Sequence, residues 1–240
     1  MVYFSNYVRY NLTSSEKGLI TTTTRQHAQQ KAQLRTQQRA QLRIQQREQL
    51  RQDILDAARD IATQDGWQGL TIRKVADRIA YSSPVIYEHF DSKEALLVEL
   101  MQDGFRLLAD ALREVPPGED PEARLIAVAT AYWDFAFQNP ALYQVMHELG
   151  GVTFGTPQTP PAALDAFDVL SRAVQAAMPG GACFADLDDE VERLWATLHG
   201  FISLTLAGRI KGGIKRAAGL VAPAVEKMIL GWRYSPSPVD

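Results

Sequence analysis

The chain has 240 residues, 46% of them hydrophobic, which suits one large domain or two small ones with a buried core. Its formal net charge is only −3, but residues 1–52 hold nine Lys/Arg against two acids, and residues 53–240 hold 16 against 26. The single cysteine excludes an intrachain disulfide, no apolar run approaches the ~18 residues of a membrane helix, and no signal-peptide pattern opens the chain. We therefore expect a cytoplasmic protein, without membrane association, that joins a basic arm to an acidic body.

The first quarter of the chain is a polar extension. Residues 1–24 lack periodicity, and we expect them to be disordered, with Thr24 as a helix N-cap. Residues 25–52 repeat a Gln/Arg-rich unit of eight in which a basic residue recurs every four positions. Because each four-residue step drifts by about 40° around a helix, this basic stripe winds around it. The leucines recur every eight residues, which argues against a standard coiled coil.

Three interpretations of this extension stay open. It is a solvated helix or disordered arm, a nucleic-acid-binding extension or, as a minor third case, a partner-binding coil. In the second interpretation the cations nearest the following domain would contact DNA phosphates. These cations are Arg43, Arg47 and Arg51.

Two helices are predicted next. Residues 53–65 carry apolar residues at i, i+3, i+4 and i+7, which is typical of an amphipathic helix, and Gly66 ends it. Thr71 is suited to cap the second helix, which is apolar on one side. Its cations, including Arg73 and Lys74, project from the remaining surface and would meet a phosphate backbone.

A tight turn separates the second helix from a third. Ser82 or Ser83 can cap the third helix, Pro84 falls in its first turn, and it ends near Phe90 after about seven residues. Two short helices around a turn are typical of a helix-turn-helix, whose second helix enters the DNA major groove. The alternative is that the aromatic residues of this helix only pack on neighbouring helices. The residues predicted to contact DNA are Thr71, Arg73, Lys74, Ser82, Ser83, Pro84, Val85, Tyr87, His89 and Lys93.

Every later element is also predicted to be helical, so the fold class is all-α. Asp91 or Ser92 is expected to cap a helix that runs to about Arg113. The Pro-Pro-Gly sequence that begins at residue 116 then breaks the chain. Further helices are predicted at 121–138, where the helix is buried nearly all round, and at 140–149, 161–178, 186–207 and 221–232, the last starting near Pro223.

The helix predicted at 186–207 has two neighbouring apolar faces, so it must bury against two bodies. One body is its own core with a ligand cavity, and the other is a partner subunit. Gly200 lies on the opposite side, where close helix contact would offset the cost of about 1 kcal/mol for a mid-helix glycine. The faces comprise Val191, Trp195, His199, Ile202 and Leu206, and Leu187, Leu194, Leu198 and Phe201.

Aromatic and histidine residues of the body are candidates for a ligand cavity. For each of them the alternative is a place in the ordinary hydrophobic core, since a histidine on an apolar face is more often part of a hydrogen-bonded structure. The candidate ligand-binding residues are Trp133, Phe137, Tyr143, Met146, His147, Trp195 and His199.

One combination of residues in the head is specific. It consists of Ala57-Ala58, Gly66, Leu70-Thr71-Ile72, Ile79-Ala80-Tyr81-Ser82, Ile86-Tyr87, His89-Phe90 and Ser92-Lys93-Glu94-Ala95-Leu96. This pattern resembles the DNA-binding domain of the TetR family of one-component regulators. Ala80 and Tyr81 stand where that family usually has glycine and a small apolar residue, and Pro84 stands where it often has glycine.

The body carries a second resemblance. Asn139-Pro140-Ala141-Leu142-Tyr143 with Met146 is similar to a segment of TetR-like bodies, and Leu194–Gly200 resembles the Trp-His-Gly (WHG) motif that names one C-terminal subclass. The family implies a three-helix head and an all-α ligand-binding body. It also implies a homodimer on a near-palindromic operator that is released by a small molecule. The predicted domains are 1–48 (extension), 49–97 (DNA-binding head), 98–235 (ligand-binding and dimerisation body) and 236–240 (tail).

The favoured function is therefore a sequence-specific DNA-binding transcriptional regulator, a repressor that a small-molecule effector releases from double-stranded DNA. The alternative is an architectural DNA-binding protein that uses the basic arm and has no ligand response. An enzyme is not expected, because His147-Glu148 lacks a second histidine at metalloprotease spacing and no glycine-rich phosphate loop is present. Neither a cofactor nor a metal is expected.

Overall fold

The computed structural model describes residues 14–148, 154–179 and 184–234. All regular structure in these ranges is helical, which confirms the all-α fold, and no helix there is long and apolar enough to cross a membrane. The expectations for residues 1–13, for the loops around residues 150 and 181 and for the tail lie outside the described residues. The helices are α1 (Ser14–Gly69), α2 (Ile72–Arg78), α3 (Ser83–Tyr87), α4 (Lys93–Arg113), α5 (Pro121–Gln138), α6 (Pro140–Glu148), α7 (Pro161–Ala177), α8 (Phe184–Leu206) and α9 (Gly213–Tyr234).

The chain divides into two compact units between Asp53 and Ile54, within α1. In the first unit every described side chain from residue 30 to residue 49 is exposed, so this part of α1 has no buried face. The helix begins at Ser14, and the expected disorder of 14–24 and the N-cap at Thr24 are therefore wrong. Residues 19–65 contain neither glycine nor proline, and the threonines cost only tenths of a kcal/mol each in a helix.

The head of the second unit forms from the end of α1 together with α2 and α3. Ile54, Ala58 and Ile61 are buried on one side of α1, as the amphipathic pattern predicts, and Val75 and Ile86 join them from α2 and α3. Regular helical geometry breaks at Gly66, whose φ of 72° lies in the left-handed region that glycine adopts at little cost. The predicted helix end at this residue is confirmed.

The caps of the head are local features, and the sequence predicts most of them. The Thr71 hydroxyl accepts a hydrogen bond from the Lys74 N–H, and the Ser92 hydroxyl accepts one from the Ala95 N–H. Helix α3 ends at Tyr87, so the predicted end near Phe90 is wrong by three residues. The chain continues to turn there because the Phe90 N–H donates to the Ile86 carbonyl.

Helix α4 connects the head to the body, where it packs against α5, α6 and α7. It approaches α6 closely at Gly104, where a Cβ atom would lie 2.6 Å from Met146 Cγ. The head also contacts α6, through Trp67, whose indole N–H donates to the Ala141 carbonyl. Helix α5 is less buried than predicted, because Asp134 lies on an exposed edge.

Helix α9 begins at Gly213, and the predicted start near Pro223 is wrong. Pro223 and Gly219 both lie on the exposed side of the helix. Because proline has no N–H, the Gly219 carbonyl lacks the helical hydrogen bond that residue 223 would otherwise donate. Water can satisfy that carbonyl, so the proline is tolerated. The opposite side is continuous and buried through Val221 and Val225, which explains why the helix extends across the proline.

Candidate functional site

The turn between α2 and α3 retains helix-turn-helix geometry without its usual glycine. Ala80 has φ 59°, in the left-handed region, which costs an alanine roughly 1–2 kcal/mol. The Tyr81 N–H donates to the Ala76 carbonyl at 2.9 Å and closes the turn. Ile86, which is fully buried, holds α3 against the head. Alanine in place of the usual glycine at position 80 therefore raises the conformational energy of the turn but leaves its geometry intact.

The outer surface of α3 consists of small or flat side chains. Ser82, Pro84 and Tyr87 are exposed, and Ser83 and Val85 are half-buried. The Ser82 residue is the N-cap, but its hydroxyl makes no capping hydrogen bond. Tyr87 is 52% exposed, so about half of its surface is available for contacts outside the head. The α3 surface can thus offer hydroxyls for polar contacts and a methyl-bearing valine for a thymine.

The cations predicted on α2 are matched by carboxylates of the head itself. Lys74 Nζ lies 2.7 Å from Asp65 Oδ2, and this contact lowers the pKa of the Asp65 carboxyl. Arg73 lies 3.9 Å from Asp77 across one helical turn. All four side chains are largely exposed, so a DNA phosphate can compete with these pairs.

The remaining head candidates flank the start of α4. Lys93 is the first residue of that helix, directly after the Ser92 cap. No ion pair of Lys93 occurs within the described part of the chain. His89 is half-buried and already has an interaction partner, so a phosphate contact would have to replace or share it.

The arm candidates belong to the other compact unit. Arg43 and Arg47 are exposed, and Arg51 is half-buried. Residues 25–52 contain one acid, Glu48, so the arginines of this segment outnumber the carboxylates that could neutralise them.

A cavity of about 390 Å³ lies in the body and includes three of the predicted ligand residues, His147, Trp195 and His199. A neighbouring cavity of about 120 Å³ shares both histidines and adds Tyr143. The lining of the larger cavity comes from α4, α5, α6, α7, α8 and the segment before α7. It consists of Phe105, Leu108, Tyr132, His147, Phe154, Gly155, Thr159, Ala163, Leu164, Ala166, Phe167, Leu170, Asp188, Glu192, Trp195 and His199.

Three other predicted ligand residues lie outside the linings of these two cavities. Trp133 is buried and its ring centroid lies 4.3 Å from that of Phe137. Met146 is buried against α4 at Gly104. In the described structure these side chains contribute to packing. An apolar helical pattern alone does not distinguish residues that pack in the core from residues that line a cavity.

A hydrogen-bonded polar cluster links the two cavities. The Tyr143 hydroxyl lies 2.8 Å from His199 Nδ1, and the Ser203 hydroxyl lies 3.2 Å from His199 Nε2. The Trp195 indole N–H donates to the Tyr132 hydroxyl at 3.2 Å. The cluster thus holds both the His199 ring and the Trp195 ring in fixed orientations at the cavity wall.

Burial keeps the two tyrosines of this cluster and the neighbouring His147 uncharged. It raises the pKa of Tyr132 to about 12 and raises that of Tyr143 further. Burial, together with the neighbouring His199, lowers the pKa of His147 to about 3. At neutral pH, His147 and the two phenols therefore present hydrogen-bonding groups to the cavity and carry no charge.

Sequence reasoning missed several lining residues. Phe105 and Tyr132 come from α4 and α5, and no local pattern reveals that these helices line the same cavity as α8. Asp188 and Glu192 were detectable, because they lie seven and three positions before Trp195 and so share its side of α8. Along α8, Val191, Leu194, Leu198 and Ile202 are buried, whereas Trp195 and His199 line the larger cavity.

The close helix contact expected at Gly200 does not occur among the described residues. No atom lies within 4 Å of the position that a Cβ would take at Gly200, and the residue is half-buried. The exposed side of α8 near this glycine includes Ala196 and Leu204. This surface is therefore open within the described chain.

Two family models match the chain. Residues 54–100 match the model described as bacterial regulatory proteins, tetR family, and residues 125–228 match the model described as tetracyclin repressor-like, C-terminal domain. Together they cover the head and most of the body. The WHG subclass remains a prediction.

Curated relatives include both a transcriptional activator and transcriptional repressors. The chain is 27% identical over 165 residues to an uncharacterized HTH-type transcriptional regulator of Mycobacterium tuberculosis, covering 65% of this chain and 70% of that one. It is 30% identical to the transcriptional activator FasR of Mycolicibacterium smegmatis over 50% of this chain and 58% of FasR. With an uncharacterized HTH-type regulator of Bacillus subtilis, the 30% identical match spans 38% of this chain and about half (48%) of the relative.

Solved structures extend the likeness to about three quarters of the chain. A protein of unknown function from Rhodococcus sp. RHA1 is 26% identical, with a TM-score of 0.65 over 76% of this chain and 95% of that one. The TetR family regulator PfmR from Thermus thermophilus, at 18% identity and a TM-score of 0.53 over 74% of this chain and 97% of that one, shows the fold alone. The family-model matches at head and body, the helix-turn-helix geometry and these relatives together show that the chain belongs to the TetR family of transcriptional regulators.

Proposed function

We propose that the protein is a sequence-specific DNA-binding repressor that loses affinity for its operator when a small molecule enters the 390 Å³ cavity. The observation that carries this proposal is helix α4, which begins at the head and lines the cavity with Phe105 and Leu108. A ligand that shifts these side chains would act on the same helix that supports α3. Relatives named as repressors, among them KstR2 of Rhodococcus jostii, support repression as the favoured mode.

A second connection between head and body supports coupling. Trp67, at the end of α1, donates to the Ala141 carbonyl in the first turn of α6, and the same helix places His147 in the cavity. Packing at Gly104 leaves little space for α4 to slide over α6. A ligand that displaces either helix would therefore move the head as a rigid unit. Rigid-body movement of this kind can transmit binding energy from one site to another.

The DNA contacts of the head fall into two groups in this proposal. Ser83 and Val85 of α3 face base edges, and Tyr87 contacts the backbone. The candidates at the starts of α2 and α4, among them Thr71 and Lys93, contact phosphates through hydroxyl, ammonium and backbone N–H groups. Arg73 and Lys74 would exchange their carboxylate partners for phosphates on binding.

The acting species is proposed to be a homodimer, as in other TetR-family regulators. The open side of α8 carries Ala196, Gly200 and Leu204, and α9, which packs on α8, exposes Pro223 and Leu230. Small residues between exposed leucines allow two copies of this helix pair to approach closely. Two heads would then read half-sites about one helical turn apart or somewhat more on a near-palindromic operator.

The basic arm adds affinity without sequence information in this account. Its arginines neutralise phosphates, and each neutralised phosphate steepens the dependence of log K on log salt by roughly 0.9. The exposed helix with an arginine at every fourth position favours this role and also supports the second candidate function, an architectural DNA-binding protein. The two functions differ in whether operator and random DNA are distinguished.

Selection from a random duplex pool with the full-length protein tests the proposal. The expected product is a near-palindromic site that binds two chains, with affinity that falls on addition of an effector identified by screening. Recovery of no enriched sequence would favour the architectural function. A single chain bound per site would contradict the proposed dimer.

A further inference from the structure

The walls of the 390 Å³ cavity are mainly aromatic and aliphatic. Phe105, Phe167 and Trp195 contribute ring faces or edges from three different helices, and Phe154 adds a fourth ring from the segment before α7. A volume of this size suits a drug-sized ligand with an apolar body. Trp195 is 37% exposed, so part of its indole is open to solvent.

The charged groups of the cavity are all acidic. Asp188 and Glu192 line it one turn apart on α8, and no lysine or arginine appears in its lining. Within the described residues neither carboxylate has a salt-bridge partner. The nearest arginine in sequence, Arg193, pairs instead with Asp189 and Glu190.

A stabilising role in the helix does not account for both acids. Asp188 lies close enough to the start of α8 to interact with the helix dipole, but Glu192 lies a further turn along, where that interaction has faded. Both lie on the side of α8 that carries Trp195, since Glu192 precedes it by three positions and Asp188 by seven.

The two histidines of the lining differ from the acids in burial and in hydrogen bonding. His147 is neutral at physiological pH, because burial lowers its pKa to about 3. Both ring nitrogens of His199 lie within hydrogen-bonding distance of hydroxyls, on Tyr143 and Ser203. An anionic ligand would thus meet two carboxylates and neither a lysine nor an arginine, whereas a positive charge would meet carboxylates beside an aromatic face.

We propose that the effector is an organic cation with an aromatic or aliphatic body, whose charged group lies between Asp188, Glu192 and the Trp195 ring while its body occupies the cavity. This proposal rests on the cavity being the effector site of the proposed function. It names the class of ligand that the site selects and excludes fatty acids and other anions.

The test uses aryl cations of graded size on the full-length protein without DNA. The probes are benzyltrimethylammonium and tetraphenylphosphonium, compared with the uncharged neopentylbenzene and the anionic tetraphenylborate, which match them in shape. Binding is followed by calorimetry and by quenching of tryptophan fluorescence. We expect at least one cation to bind at least about tenfold more tightly than its matched probe, because charge attraction and the indole face act together.

A charge-removing variant assigns the effect to the two acids. We expect D188N/E192Q to weaken binding of the cation about tenfold or more and to leave binding of the matched uncharged probe within about twofold. The control is Asp189→Asn, which removes a neighbouring acid of α8 outside the cavity lining and should change neither affinity. Thermal unfolding of each variant checks that the fold is retained.

The outcomes separate this inference from the proposed function. If no cation binds better than its matched probe, or if D188N/E192Q binds the cation as the unchanged protein does, the inference is overturned even when operator binding is intact. If cations bind and their binding requires the two acids, but no DNA sequence is selected, the inferred ligand class is supported and the proposed regulatory function is contradicted.

Discussion

The arm and the head both carry cations, but they balance this positive charge differently. Residues 25–52 contain one acid, whereas Arg73, Lys74 and Arg78 of α2 each have a carboxylate within 4 Å. The described arm side chains up to residue 49 are exposed, whereas the head encloses a buried core. A solvated helix whose arginines outnumber its carboxylates attracts any phosphate backbone, and a rigid head whose α2 cations are paired with carboxylates can discriminate between sequences.

The largest expected difference between the two regions is in stability. Ile86 is fully buried in the head, whereas Ile44 of the arm is 70% exposed. Ile86→Ala should lower the free energy of unfolding by roughly 2–5 kcal/mol, because it removes buried methyl groups and leaves a cavity. Ile44→Ala should change it by less than about 0.5 kcal/mol. Chemical denaturation measures both, and equal effects would contradict the distinction.

Sequence discrimination should respond to the head alone. Ser83→Ala combined with Val85→Ala should weaken binding to the selected operator by roughly 1–3 kcal/mol for each base-edge interaction that the variant removes, with little change on random DNA. Titration of labelled duplexes with the variant gives both values. A uniform decrease in affinity for the two DNAs would instead place these side chains at the phosphate backbone.

The body, unlike the arm, contains a buried ionisable group within the described structure that makes stability depend on pH. The unfolded chain takes up a proton on His147 near pH 6.5, and the folded chain does so only near pH 3. The free energy of unfolding should therefore fall as pH drops below about 6.5, by up to about 1.4 kcal/mol per pH unit from this residue. His147→Asn should flatten the profile in that window, and an unchanged profile would show that His147 is accessible to protons.

The smallest expected effect tests the unusual turn. Ala80→Gly relieves left-handed strain but increases the entropy of the unfolded chain, so stability should rise by between zero and about 1 kcal/mol. The matched control, Ala76→Gly in the buried middle of α2, should lower stability by at least about 0.5–1 kcal/mol. Equal decreases at both positions would mean that Ala80 does not adopt a left-handed conformation in solution.

Local chemistry determined which features the sequence could predict. The caps at Thr71 and Ser92 and the break at Gly66 depend on neighbouring residues, and the structure contains all three. The start of α9 was missed because the cost of Pro223 depends on which side of the helix faces water. Phe105 was missed as a cavity residue because the other lining residues come from different helices, which only tertiary packing brings together.

The central claim is that the head selects the sequence while the arm supplies general attraction. Its most direct test is the salt dependence of affinity for the selected operator and for scrambled DNA. The full-length protein is compared with a variant in which Arg39, Arg43 and Arg47 become glutamine, a residue that the repeat already uses and that retains helix propensity. We predict that the variant has a shallower slope on both DNAs, by up to roughly 0.9 per arginine, with the ratio of the two affinities unchanged. Loss of that ratio in the variant, or equal binding of both DNAs by the unchanged protein, would contradict the account.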